Sequence, residues 1–132
     1  MGTWGIKAFE NDTASDWIFS LQESEGDSLL LETLNREPDP ESGYEAPDSE
    51  EGLAATEVVA ALKGHPSPDI PKEVKEWVEA NKETKTDELI TLALRLIDST
   101  LKQSELLELW TESDDIEKWK ATVLDLRKRL KQ

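Results

Sequence analysis

The chain contains no cysteine, which excludes disulfides, thiolate metal sites and a cysteine nucleophile, and suits a reducing compartment. It has one histidine, His65, so no paired-histidine metal motif can be written. No apolar run approaches the roughly 18 residues that a bilayer span requires, and the N-terminus lacks a basic stretch followed by an apolar core. Neither a membrane segment nor a signal peptide is expected, and a cytoplasmic location follows. Basic residues are scarce: fifteen Lys and Arg stand against thirty Asp and Glu, for a net charge of -15. Binding to nucleic-acid phosphates rests on Lys and Arg displacing counterions, so nucleic acid and anionic lipid are poor partners for such a surface. A basic protein is the partner class that this charge attracts.

What remains is enough for one core. The 132 residues fit a single domain spanning 1–132, and at that size about two thirds of the surface of the unfolded chain can be buried. The hydrophobic content is 36%, but Leu, Ile, Val and Trp are clustered rather than dispersed, so the chain is foldable despite its charge. No stretch alternates apolar and polar residues as a half-buried strand would. The expected fold is therefore an all-α, compact bundle of six or seven short to medium helices.

Helical periodicity begins at Thr13, where Ala14, Trp17, Ile18 and Leu21 share a face behind a cap from Asn11 or Asp12. Gly26 breaks that helix, and Asp27 or Ser28 opens a second through Leu29, Leu30, Leu31 and Leu34. Residues 36–48 carry Pro38, Pro40, Pro47 and Gly43 among acids and predict an acidic loop, with Tyr44 pinning it ring inward and hydroxyl wet. A helix is expected from Ser49 to about Leu62, another from Pro71 to near Asn81, and a central apolar helix over about 86–102. Ser104 caps a short helix bearing Leu106, Leu107, Leu109 and Trp110. Asp114 and Glu117, three apart, predict a capping box for a last helix through Trp119, Val123, Leu126 and Leu130. Residues 116–132 reverse the charge balance, which suits the negative end of a helix dipole better than a binding patch.

The first seventeen residues are the most specific part of the chain. Trp4, Gly5 and Phe9 precede Asn11 and Asp12, and Trp17 closes the group. Trp17, Trp77 and Trp119 lie on apolar helical stripes and read as core. Trp4 lies outside any helix and reads as a lid that joins Ile6, Phe9 and Trp17 in one aromatic cluster, rather than as a hot spot for a partner. Trp4-Gly5, Phe9 to Asp12, Ala14 to Trp17, Glu57 to Leu62, Pro71 to Val78, and the run from Ser104 through Trp110 and Ser113 to Asp115 to Trp119 resemble a bacterial family, domain of unknown function 4259. The resemblance covers nearly the whole chain. It implies a small bacterial cytosolic protein without an assigned reaction or cofactor.

Catalytic signatures are missing. There is no phosphate-binding glycine loop and no Gly-x-Ser-x-Gly elbow, and the serines have no evident base except His65, which sits in a turn and is expected to be exposed. Pro40 and the lack of a bend glycine exclude a calcium loop at Asp39, Glu41 and Glu50. Two functional readings follow. In the first, the protein is a non-enzymatic acidic interaction module, an immunity-type or antagonist protein, that meets a basic partner through Glu37, Asp39, Glu41, Glu45, Asp48, Glu50 and Glu51. In the alternative, Glu10, Asp12 and Asp16 converge to bind a divalent metal in a hydrolase, or serve a small-ligand binder. Capping by Asn11 or Asp12 is the simpler use of the second cluster.

Overall fold

A computed structural model describes residues 5–132, so Trp4 and its expected role as a lid lie outside the described residues. Seven helices follow one another among these residues: α1 (Asp12–Gln22), α2 (Ser28–Leu34), α3 (Ala46–Leu62), α4 (Lys72–Ala80), α5 (Asp87–Lys102), α6 (Glu105–Thr111) and α7 (Ile116–Leu130). No strand forms among them. Two isolated backbone pairings, Asp39 with Gly43 and Tyr44 with Ser104, are the only extended contacts. None of the helices is long and apolar enough to cross a membrane, among the described residues.

Helix α5 takes a central place against α2, α3, α6 and α7. Its buried residues are Leu89, Ala93, Leu96, Ile97 and Thr100, while Ile90, Leu92, Leu94 and Leu101 cover the core edge. Helix α3 is enclosed more fully, because it meets α1, α2, α4, α5, α6 and α7, and every residue from Gly52 to Ala61 is buried. Small side chains explain this position. Gly52, Ala54, Ala55, Ala60 and Ala61 let neighbouring helices approach on all sides of α3, so its sequence reads as only weakly amphipathic. At Gly52 the approach is closest, since a Cβ there would overlap the methyl groups of Leu96 on α5. Gly52→Ala should therefore lower stability by about 1–2 kcal/mol, overpacking outweighing the better helix propensity of alanine. A urea midpoint that stays level or rises would contradict that contact.

The acidic loop is shorter than its composition predicts. Helix α3 begins at Ala46 rather than Ser49, with Pro47 in its first turn, where the missing amide hydrogen has no partner to lose. Glu45 contributes no side-chain cap. The free amide of Ala46 is met instead by Glu105 Oε1 at 2.7 Å, a cap supplied from α6. Tyr44 does point inward, at 2% exposure, but its hydroxyl is not wet: it donates to the Arg36 carbonyl at 2.9 Å. Burial pushes the Tyr44 phenol above its ordinary pKa. Gly43 adopts φ 79, and a Cβ there would meet the Gln103 carbonyl, so the loop lies against the α5–α6 corner.

Capping at the other helix starts is mixed. Asn11, not Asp12, caps α1, its Oδ1 accepting from Ala14 N at 2.8 Å. Ser104 caps α6 through Leu107 N at 3.0 Å, as its position predicts. The Asp114–Glu117 capping box does not form: Asp115 occupies the cap position without a side-chain bond, and Ser113 Oγ accepts from Asp115 N.

The three tryptophans read as core are buried, Trp17 bonding Thr33 Oγ1 and Trp77 the Ser24 carbonyl, each at 3.0 Å. These bonds join α1 to α2 and α4 to the α1–α2 turn. Trp119 stacks on the partly buried Trp110, with ring centroids 6.1 Å apart and planes inclined by 12°.

Candidate functional site

Residues 5–11 form a strap ahead of α1 that shares a recess with Leu53 and Glu57 of α3 and Trp119, Val123 and Leu126 of α7. The strap is self-bonded: the Lys7 amide donates to Glu10 Oε1 at 3.1 Å, the Glu10 amide donates to the Lys7 carbonyl at 3.0 Å, and Asn11 Nδ2 donates to the Ala8 carbonyl at 3.2 Å. Gly5 has room only because it lacks a Cβ, which would collide with the Glu10 carboxylate. The Lys7 ammonium reaches across to Asp69 in the loop between α3 and α4, and this contact raises the Lys7 pKa. Phe9 and Ile6 are partly buried against the core. Asn11→Ala removes a buried two-way cap and should cost about 1 kcal/mol. A thermal midpoint lowered by several degrees, with secondary structure intact, is the expected outcome; no change would mean that the strap and α1 are held otherwise.

Beneath the strap lie three neighbouring recesses, each lined in part by Lys7 and Glu57. The narrow inner end of the cleft, about 20 Å³, lies between the strap and the apolar wall of Leu53, Leu106, Trp110, Trp119, Val123 and Leu126. A middle recess of about 150 Å³ adds Phe9, Glu10, Ser67, Asp69 and Ile70. The outer recess, about 320 Å³, is bounded by Lys7, Ser67, Pro68, Asp69, Ala121, Thr122, Asp125 and Arg129. Glu57 lines all three.

Glu57 is 4% exposed and sits on the most enclosed helix. Arg129 on α7 answers it with a two-pronged bond, Nη1 to Oε1 at 2.9 Å and Nη2 to Oε2 at 3.0 Å. The same guanidinium donates to the His65 carbonyl at 3.2 Å and through Nε to Asp125 Oδ2 at 2.9 Å. Burial opposes the Arg129 charge, but Glu57 and Asp125 outweigh it and hold the pKa above the ordinary value. His65 is half-buried rather than exposed, and it contributes its carbonyl.

The acids of the 37–51 segment have different surroundings. Arg36 Nη1 bonds Asp48 at 3.1 Å and Glu51 at 2.6 Å, and Arg95 bonds Glu37 at 3.3 Å while donating to the Leu34 and Arg36 carbonyls. Those three carboxylates are therefore partly neutralised. Asp39, Glu41 and Glu45 are exposed. Asp39 accepts from the Glu41 and Ser42 amides at 2.8 and 3.0 Å, which holds its carboxyl below the ordinary pKa. Glu50 is half-buried and borders the inner end of the cleft.

Glu10, Asp12 and Asp16 do not converge. Glu10 is tied into the strap, whereas Asp12 and Asp16 are exposed on α1. Among the described residues, no group of three or more His, Cys, Asp or Glu is placed to hold a metal ion. Asp12 and Asp16 on α1, with Glu23 just past its end, instead lie at helical spacing with Phe19, which is 66% exposed.

Composition and patterning single out none of Glu57, Arg129, Arg36 and Arg95. Glu57 does leave a trace, as the one charged residue between Leu53 and Leu62. Arg129 leaves none, because it stands beside Arg127, Lys128 and Lys131, and only the fold selects it.

These features define an acidic all-α domain with an N-terminal strap over a cleft that a buried ion pair borders. The chain belongs to the family of the domain of unknown function DUF4259, which it matches over residues 2–122. No curated protein and no solved structure matches it.

Proposed function

We propose that the protein is a non-enzymatic bacterial interaction module that works in the cytoplasm and masks a basic partner protein, in the manner of an antagonist or immunity-type protein. The observation that carries this reading is the uneven distribution of charge. Residues 1–62 hold fifteen acids against Lys7 and Arg36 alone, and residues 63–132 are nearly balanced. Asp39, Glu41 and Glu45 on the loop, Asp12 and Asp16 on α1, and Glu23 just after it are exposed. Phe19 offers an apolar contact within the α1 stripe. Charge of this kind accelerates encounter with a basic surface, and an exposed aromatic ring adds contact that salt does not screen. The absence of cysteine suits a reducing cytoplasm.

Capture on immobilised protein, performed at low and at high salt, tests the reading. A basic protein should be retained at low salt and released at high salt. Recovery of no basic protein, or retention indifferent to salt, would count against it.

A further inference from the structure

We infer that α7 carries a docking face for the α1 helix of a second copy of the chain, so that the protein self-associates weakly, head to tail. This goes beyond the reading of the acidic loop and does not depend on a foreign basic partner. Phe19 on α1 and Leu124 on α7 are large apolar side chains left 66% and 52% exposed. Helical spacing sets Asp12, Asp16 and Glu23 around Phe19, and Lys120, Lys128 and Lys131 around Leu124. The three acids, Lys128 and Lys131 are exposed, and Lys120 is half-buried. None of these six charged groups forms an ion pair among the described residues. Residues 8–35 contain no Lys or Arg, so the acids of α1 have no counter-charge in their own stretch of chain. The helix dipole explains cations in the last turn of α7, but neither Lys120 in its first half nor an exposed leucine among the lysines.

The two faces also match in register. Glu23 lies four residues after Phe19 and Lys120 four before Leu124, while Asp12 lies seven before Phe19 and Lys131 seven after Leu124. With the helices antiparallel and Phe19 against Leu124, equal rise per residue brings Glu23 to Lys120, Asp16 to Lys128 and Asp12 to Lys131. The parallel direction is disfavoured, because it sets Asp12 against Glu117, the acid on the same face of α7. Other charges beside this face are already engaged: Arg127 bonds Asp98, and Asp125 bonds Arg129. One helix laid on another makes a small contact, and each chain carries a net charge of -15, so the association is weak and transient. At about 0.15 M salt the general repulsion is screened beyond roughly 8 Å, while groups in contact still attract.

Sedimentation equilibrium of the full chain at about 0.15 M salt, over concentrations up to about 1 mM, tests this. The average mass is expected to rise above that of the monomer as concentration increases. Asp16→Lys and Lys128→Glu should each weaken the association by about tenfold or more, because like charges then face one another. Asp16→Lys lowers the net negative charge, so general repulsion alone predicts the opposite change for that variant. An equimolar mixture of the two variants should recover the association: the reversed α1 of one meets the reversed α7 of the other, and their unaltered helices meet as in the natural chain. Both positions are exposed, and circular dichroism checks that the fold is retained. Lys128→Glu leaves the acidic loop and α1 unaltered, so capture of a basic protein by this variant, without self-association, separates the present inference from the proposed function. The inference is overturned if the natural chain stays monomeric throughout, if either reversal leaves the association unchanged, or if the mixture does not recover it.

Discussion

Arg129→Met should destabilise the protein by about 3–5 kcal/mol, because it leaves the Glu57 carboxylate buried without its counter-charge. The Arg129 side chain is 13% exposed and the Glu57 side chain 5%, so water cannot take over its role without opening the contact between α3 and α7. The His65 carbonyl and Asp125 lose their donor at the same time. The loss should be smaller in the double variant Glu57→Leu, Arg129→Met, since an apolar pair of similar volume removes the desolvation cost along with the attraction. Urea unfolding of the three proteins measures both quantities. If Arg129→Met alone costs less than about 1 kcal/mol, the pair behaves as a surface bridge and Glu57 is not the buried anchor described above.

Trp119→Ala should cost about 3–5 kcal/mol, the range for loss of a large aromatic side chain from a core. Trp119 is 2% exposed and stacked on Trp110, and both rings form the apolar wall of the cleft together with Leu106, Val123 and Leu126. Its removal would release α6 from α7 and widen the inner end of the cleft, where only about 20 Å³ is now open. Trp119→Phe keeps most of the buried area and should cost much less. Thermal unfolding followed by circular dichroism ranks the two variants, and equal losses would mean that the stacked pair contributes little beyond what the smaller ring supplies.

Much of the fold is legible in the sequence because helix signals are local. Asn11 and Ser104 announce the starts of α1 and α6, and the leucine and tryptophan stripes mark which faces turn inward. What escapes is held by contacts distant in sequence. The start of α3 at Ala46 depends on Glu105, which lies 59 residues away, and the Tyr44 hydroxyl finds a backbone carbonyl that no composition could indicate. The enclosure of α3 is hidden for a different reason: glycine and alanine give a weak periodic signal, and they are also the residues that admit close neighbours.

The site divides in the same way. The acidity of segment 37–51 is plain in the sequence, but which acids remain available is set by Arg36 and Arg95, and that leaves Asp39, Glu41 and Glu45 rather than the whole series. The N-terminal signature identifies the family, and in the structure its described part is the roof of the cleft. Gly5 leaves room for the Glu10 carboxylate, which accepts from Lys7 N, and Asn11 donates to the Ala8 carbonyl. The carboxylate that the roof covers, Glu57, is on another helix and 47 residues beyond Glu10 in sequence.

The central functional claim is that the exposed acids of the N-terminal half bind a basic protein. The most direct measurement is the affinity of the basic protein recovered by low-salt capture, determined for the natural chain and for the double variant Glu41→Lys, Glu45→Lys. Both positions are exposed and outside the core, so the fold should persist. The expected result is a markedly slower association and weaker binding for the variant, with the difference shrinking as salt is raised. Equal affinity of the two proteins across the salt range would contradict the claim.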